Sequence, residues 1–196
     1  MINKKPMICD AILMASGFSR RFGVHDKLLR DFRGKPLALH TLELACGMPE
    51  FANVIFVAAL PEVARLTTGT RARAIENRKP ERGVCESIRL GVAASFAKFY
   101  CFFQCDQPLL EASAVRRLIA AVRTGAIVEP VAGGNRQSPS IFSETFREEL
   151  LSLRDGEQGV KIKDRHKDAV LSVEFDDAAI FSDIDTLENL NALEGL

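Results

Sequence analysis

The sequence predicts an α/β fold in which a mostly parallel sheet is flanked by helices. Between residues 8 and 175, short apolar runs of strand length alternate with segments of helical spacing. Three polar segments follow individual apolar runs, as loops do at the ends of parallel strands. The chain has 196 residues, of which 47% are hydrophobic and 27% charged. These values suit a single domain over residues 1–196 with a sizeable buried core.

The first predicted element is a buried strand over Ile8 to Ala15, because this apolar run is short and ends at a Gly/Ser loop. Further strands are predicted at 54–59, 72–76, 99–104, 126–131 and 170–175. Helices are predicted at 37–46, 61–66, 84–97, 112–122, 144–153 and 158–166. Such alternation indicates parallel strands with helices on both faces, and ligands then bind beyond the carboxyl ends of the strands. The polar segments 16–27, 77–87 and 106–108 fall there.

Composition argues against several classes of partner. Lys plus Arg and Asp plus Glu number 26 each, so the overall charge predicts neither a nucleic-acid nor an anionic-membrane partner. The five cysteines contain no CxxC pair and are predicted to be reduced, mostly buried thiols. No apolar run reaches the roughly 18 residues of a membrane span. Asp10 interrupts the N-terminal apolar stretch, unlike a cleavable signal, so we expect a cytoplasmic protein.

A glycine-rich loop after the first strand is the leading candidate for anion binding. It contains Gly17, Ser19, Arg20, Arg21, Gly23 and Lys27. Glycine lets backbone N–H groups approach anionic oxygens, arginine binds them bidentately, and lysine adds a point charge. These residue types favour a polyphosphate, such as the triphosphate that the resemblance described below implies, although a solvated surface loop is the alternative. The loop is neither a P-loop nor a GxGxxG dinucleotide loop.

Two carboxylates are candidates for holding Mg²⁺. Asp106 follows an apolar strand directly, where a carboxylate faces the ligand crevice and can bind Mg²⁺ that bridges phosphate oxygens. Asp185 can either bind the metal or cap a helix that begins near Leu187. Gly83 and Ser87, which follow Asn77, can offer backbone amides and a hydroxyl to a base or ribose, or belong to an ordinary helix start.

The order of these segments resembles the MobA-like nucleotidyltransferases, and among them the molybdenum cofactor cytidylyltransferases. The family loop L-A-A-G-x-S-x-R-M-G…K-L-L is matched by 14–23 and 27–29, and later family motifs are matched by Asn77, Gly83, Ser87, Ile88, Gly91, 106–109, 139–142, 156–159 and 183–190. Three departures occur: Ser16 replaces Ala or Gly, Phe22 replaces Met, and three residues rather than two separate Gly23 from Lys27. The resemblance implies a single-domain Rossmann-like (GT-A-like) nucleotidyltransferase fold.

The resemblance also implies roles for individual residues. Nucleotide binding is expected from Ala15, Ser16, Gly17, Ser19, Arg21, Lys27, Asn77, Gly83, Ser87 and Asp106, with Arg21, Lys27 and Asp106 acting in catalysis. Asp106 and Asp185 are expected to bind Mg²⁺, and Pro139 and Gly159 the acceptor. The D-Q-P sequence at 106–108 resembles the cytidylyl branch, which implies CTP as donor.

The reaction expected from this resemblance is attack by the terminal phosphate of molybdopterin, or of the molybdenum cofactor, on the α-phosphorus of CTP. An ionised phosphate needs no general base, which fits a sequence rich in cations and carboxylates without a clustered histidine. Two alternatives are a nucleotidyltransferase for a sugar or polyol phosphate and a catalytically silent cofactor carrier or chaperone. A molybdenum hydroxylase, or its chaperone, is a further expected partner.

Overall fold

A computed structural model describes residues 9–17, 27–186 and 189. Within them, eight strands form one mixed sheet. Its strands are β1 (Cys9–Ala15), β4 (Phe51–Ala58), β5 (Arg73–Glu76), β6 (Phe99–Gln104), β7 (Ile127–Ala132), β8 (Asn135–Arg136), β9 (Ser140–Ser143) and β10 (Val170–Phe175). A separate small hairpin is made by β2 (Asp31–Phe32) and β3 (Lys35–Pro36).

The helices confirm the predicted alternation. They are α1 (Leu37–Gly47), α2 (Pro61–Ala64), α3 (Val84–Ala93), α4 (Ala112–Ala120), α5 (Arg147–Leu151) and α6 (Val160–Arg165). Short 3₁₀ turns extend α2 and precede α5. Within the described ranges no helix combines the length and the apolar character needed to cross a bilayer.

The sheet runs in the order β10-β7-β9-β6-β1-β4-β5, with β8 paired to β7. The pairs β1·β4, β1·β6, β4·β5 and β7·β10 are parallel, which confirms the predicted fold class. Strand β9 is antiparallel to both β6 and β7 and separates them. The sequence analysis left residues 140–143 without a strand, so the insertion of β9 is a correction.

Both faces of the sheet are buried. Alternate residues of β1 point to opposite sides, so Leu13 joins the core beneath α1 and α4, whereas Ile12 joins the core beneath α3 and α5. Four of the cysteines are buried free thiols, and Cys46 is partly buried. The prediction of reduced, mostly buried cysteines is therefore confirmed.

Two element boundaries differ from prediction for identifiable reasons. Helix α3 ends at Ala93 rather than at residue 97, because Ser95 leaves the helix and its Oγ donates to the buried carboxylate of Asp10 at 2.6 Å. Strand β4 begins at Phe51 rather than at residue 54. The backbone N–H of Asn53 in this strand donates to the carboxylate of Asp10. Because Asn53 is polar, the apolar run that predicted the strand begins only after it.

Helix α3 packs closely against β1 at a glycine. A Cβ built on Gly91 would lie 2.3 Å from Cγ2 of Ile12, a distance at which the side chain must move. We predict that Gly91→Ala lowers the free energy of unfolding by about 1–3 kcal/mol through overpacking. Chemical denaturation measures the change.

Gly47→Ala is the matched control, because no atom lies within 4 Å of a Cβ built at this helical position. It should leave stability unchanged or raise it by up to about 1 kcal/mol, since alanine favours helix. Equal stability of the two variants would contradict close packing at Gly91.

Candidate active site

A cavity of about 520 Å³ opens beside the carboxyl ends of β1 and β6. It brings together segments that are far apart in sequence, as the order of parallel strands predicts. Of the residues predicted for the site, those in its lining are Ser16, Gly17, Lys27, Gly83, Ser87, Asp106 and Gly159. The cavity therefore joins the first loop, the start of α3, the end of β6 and the start of α6.

The ammonium group of Lys27 is the centre of one end of the cavity. Its Nζ donates to Oδ2 of Asp106 at 2.7 Å and to Oδ1 of Asp185 at 2.9 Å, and also to the carbonyl oxygen of Ile184 at 3.2 Å. Burial lowers the pKa of Lys27, but the two carboxylates outweigh burial and raise the pKa above its usual value. Lys27 therefore stays charged and joins the end of β6 to the C-terminal segment.

Backbone and amide contacts hold the C-terminal segment 181–186 beside β6. The N–H of Ile184 donates to the carbonyl oxygen of Asp106 at 2.9 Å, and Nε2 of the buried Gln107 donates to the carbonyl oxygen of Phe181 at 2.8 Å. The side chain of Ile184 is buried against Phe32 and Leu37. Burial of Ile184 places the carboxylates on either side of it, at positions 183 and 185, near Asp106.

This end of the cavity carries more negative than positive charge among its described residues. Asp106, Asp183 and Asp185 lie close to Lys27, the only cation lining this end within the described part of the chain. Burial, together with the charges of Asp106 and Asp185, raises the pKa of Asp183 to about 6. Oδ1 of Asp106 is buried without a hydrogen-bond partner in the described residues. The arrangement suits a cation.

The opposite side of the first loop is lined by small polar groups. Oγ of Ser16 donates to the carbonyl oxygen of Val57 at 3.0 Å, so this hydroxyl proton points to β4 rather than into the cavity. Asn77 is buried, and its Nδ2 donates to Oγ of Ser87 at 3.4 Å. Gly83 has a φ of 87° directly before α3, a conformation that side chains other than glycine rarely adopt. Ser16, Gly83 and Ser87 thus line the part of the cavity where the sequence resemblance predicts nucleotide binding.

The far end of the cavity, beside β9 and α6, is basic. Arg136 and Lys163 line it, and both contact the buried carboxylate of Glu129 in β7. None of these three residues was predicted from the sequence to belong to the site. In the sequence, Lys163 looks like a solvent-facing lysine of a polar helix. Its partners are Glu129 in β7 and Ser140 in β9, and the pairing of these two strands inside the sheet buries both.

Several predicted site residues lie outside the lining. Ala15, Asn77, Pro139 and Asp185 do not line the cavity, although Asn77 supports Ser87, Asp185 contacts Lys27, and both neighbours of Pro139 are in the lining. Ser19 and Arg21 lie outside the described residues. The functional roles of all these residues stay predictions.

The two alternatives for Asp185 can now be compared with its contacts. Its carboxylate binds Lys27, whereas Oγ1 of Thr186 accepts a hydrogen bond from the backbone of Asn189 at 3.1 Å, in the manner of a helix cap. The predicted helix start near Leu187 lies outside the described residues. Within the described part of the chain no three His, Cys, Asp or Glu side chains form a complete metal site by themselves.

Comparison with known proteins gives the family to which this fold belongs, a family of nucleotidyltransferases. Residues 11–170 match the MobA-like NTP transferase domain, so the chain belongs to that family, as predicted. A molybdenum cofactor guanylyltransferase of Bordetella pertussis is 29% identical and is aligned over 99% of this chain and 100% of its own length. One from Cupriavidus metallidurans is 27% identical, with 93% of each chain covered.

A solved nucleotidyl transferase from Methanothermobacter thermautotroptrophicus has a similar fold. It superimposes with a TM-score of 0.84 at 17% identity and covers 96% of each chain. The relatives named above are guanylyltransferases, whereas the sequence resemblance led us to expect a cytidylyltransferase. The family is confirmed, and the cytidylyl branch finds no support among these relatives.

The amide of Gln107 is predicted to hold the segment 181–186 in place. Gln107→Met removes the donor to Phe181 and leaves a buried carbonyl unsatisfied, which should cost about 1–3 kcal/mol of stability. The N–H of Ile184 should also exchange with solvent faster. Urea denaturation and amide hydrogen exchange measure the two effects.

Gln137→Met is the control, because the side chain of Gln137 is partly exposed and makes no hydrogen bond within the described residues. It should change neither quantity appreciably. Unchanged protection of Ile184 in the Gln107 variant would show that the amide does not anchor the segment.

Proposed function

We propose that this nucleotidyltransferase transfers a nucleotidyl group from an NTP to the terminal phosphate of molybdopterin or of the molybdenum cofactor. The observation that supports it most is a single cavity with two chemically different ends. One end gathers Lys27 with the carboxylates of Asp106 and Asp185, and the other carries Arg136 and Lys163. Such a cavity suits an NTP at one end and an acceptor at the other, and both curated relatives are named for the molybdenum cofactor.

The proposed donor is GTP. Both relatives, which are aligned over 93% or more of this chain, are named guanylyltransferases, and we follow them in place of the expected CTP. CTP remains the second candidate, because the D-Q-P sequence at 106–108 resembles the cytidylyl branch.

The residues at the carboxylate end fit Mg²⁺, which we propose as the cofactor. Mg²⁺ commonly uses one or two carboxylates and completes its coordination with water and substrate phosphates. Asp106 offers a buried oxygen without a partner in the described residues, and Asp185 has an exposed carboxylate nearby. When bound, Mg²⁺ would neutralise the charge of the triphosphate and polarise its oxygens.

The protein's own groups then act by positioning and by charge. An oxygen of the acceptor phosphate attacks the α-phosphorus, the bond from that phosphorus to the β-phosphate oxygen breaks, and pyrophosphate leaves. Lys27 donates to the triphosphate and stabilises the negative charge that develops on its oxygens. No residue needs to remove a proton, because the attacking phosphate is already ionised. Arg21 is the second cation expected to contact the phosphates.

The direct test is the release of pyrophosphate from each of the four NTPs, with and without molybdopterin. We expect release that requires molybdopterin and is at least about tenfold faster with GTP than with the others. A CTP-only signal would support the second candidate. Release with a sugar or polyol phosphate and not with molybdopterin would replace the acceptor. Binding of molybdopterin without release from any NTP would indicate a carrier.

Asp106→Asn should lower kcat by about a thousandfold or more, because it removes a charge that holds the metal and triphosphate in line. Asp168→Asn is the control, since Asp168 is an exposed carboxylate outside the cavity lining. Circular dichroism should show both variants folded. Near-normal turnover by the Asp106 variant would refute the assignment.

Lys27 and the divalent cation should compete when no nucleotide is bound. Lys27→Met removes the ammonium that now contacts two carboxylates, so Mn²⁺ should bind the nucleotide-free protein about tenfold more tightly, whereas the NTP should bind more weakly. Electron paramagnetic resonance of free Mn²⁺ measures the first effect. Lys167→Met, at an exposed site, is the control and should change neither the Mn²⁺ affinity nor the NTP affinity. Equal Mn²⁺ affinity of the Lys27 variant and the wild type would contradict the competition.

A further inference from the structure

The basic end of the cavity is built on a buried carboxylate that two cations share. Glu129 is 1% exposed, and its Oε1 lies 2.9 Å from Nε of Arg136 while its Oε2 lies 2.8 Å from Nζ of Lys163. Nζ of Lys163 also donates to Oγ of Ser140 at 2.7 Å. Both cations face the cavity, and together they exceed the charge of Glu129 by one.

The remaining contacts of the two cations leave hydrogen-bond donors available. Nη1 of Arg136 pairs with Asp164 at 3.0 Å, but that carboxylate is 54% exposed and screened by water. Nη2 of Arg136 makes no hydrogen bond with any described residue. Lys163 has three N–H donors: it donates to Ser140, and its ammonium forms an ion pair with Oε2 of Glu129 at 2.8 Å. Arg136 and Lys163 can therefore bind an anion without losing their present partners.

Stability alone does not account for a lysine at this place. Phe142 and Leu150 line the same wall, and apolar side chains at both 129 and 163 would pack there without the cost of removing two charges from water. Burial lowers the pKa of Lys163, and Glu129 only partly offsets that effect. A costly charged group that lines a cavity favours a ligand-binding role.

The basic end lies at a different place along the sheet from the carboxylate end. Ser140, the partner of Lys163, pairs with Phe102 within β6, whereas Asp106 lies in the turn that follows this strand. A group bound beside Lys163 is then a different part of the acceptor from the phosphate that reacts beside Asp106.

We propose that Arg136 and Lys163 bind a second anionic group of the acceptor, other than its reacting phosphate, and that Glu129 positions them. The identity of the acceptor rests on the proposed function. In molybdopterin that second group is the dithiolene, whose two sulfurs are thiolates when they bear no metal and ligands of an anionic oxo centre when they hold molybdenum. Arg136 and Lys163 would thus select acceptors that carry this group.

The test compares Lys163→Met and Arg136→Met with the wild type. Each should raise the KM for molybdopterin about 10- to 100-fold, as expected for the loss of one charged hydrogen bond, while the KM for the NTP changes less than about twofold. Lys161→Met is the matched control, because Lys161 is exposed on the same helix and lies outside the lining. Unchanged KM for molybdopterin in both cavity variants would overturn the proposal.

A loss of stability must be separated from a loss of binding, because Lys163→Met leaves Glu129 with one cation fewer. The double variant Glu129→Gln/Lys163→Met has a neutral buried pair and should regain the melting temperature, yet still bind molybdopterin weakly. Lys163→Arg should restore much of the affinity. If the double variant regains both stability and affinity, the pair is only structural and the proposal fails.

Fluorescence of the pterin ring measures molybdopterin binding directly, without turnover, and separates this proposal from the proposed function. Binding that depends on Lys163 without release of pyrophosphate would support the basic end while refuting nucleotidyl transfer to this acceptor. Turnover with molybdopterin that neither cavity variant changes would support nucleotidyl transfer and refute the proposed role of the basic end. If wild type and Lys163→Met bind molybdopterin equally, or if neither binds it, the proposal is overturned.

Discussion

The ammonium group of Lys27 is the contact on which the candidate site depends. It is the described cation that joins Asp106, at the end of β6, to Asp185 in a segment nearly eighty residues further along the chain. Burial, together with the charges of Asp106 and Asp185, raises the pKa of Asp183, and Lys27 opposes that shift only in part. The described residues therefore carry an excess of negative charge at this place, and a divalent cation would offset it.

Much of the fold could be predicted from local pattern. Strands β6 and β10 have the predicted bounds, because a continuous apolar run and an alternating run each end sharply at polar residues. Asp106 was placed at the ligand crevice by its position after β6, and it lines the cavity. These features depend on neighbours in sequence, so one sequence is enough to show them.

Features that depend on distant pairing could not be predicted in the same way. Strand β9 has four residues and inserts antiparallel between β6 and β7, a position that its own composition does not specify. Glu129 interrupts an apolar strand, and Lys163 lies in a polar helix, so each alone resembles a surface residue. Only the sheet order brings them to 2.8 Å and makes the second end of the cavity visible.

The most direct test of the two-ended cavity is a crystal structure with Mn²⁺ and a non-hydrolysable GTP analogue, with the metal located by its anomalous scattering. The account predicts an anomalous peak within coordination distance of Asp106 and Asp185, with Lys27 turned from these carboxylates to the phosphates and the Arg136–Lys163 end left free. A metal peak elsewhere, or a triphosphate bound at the basic end, would contradict it.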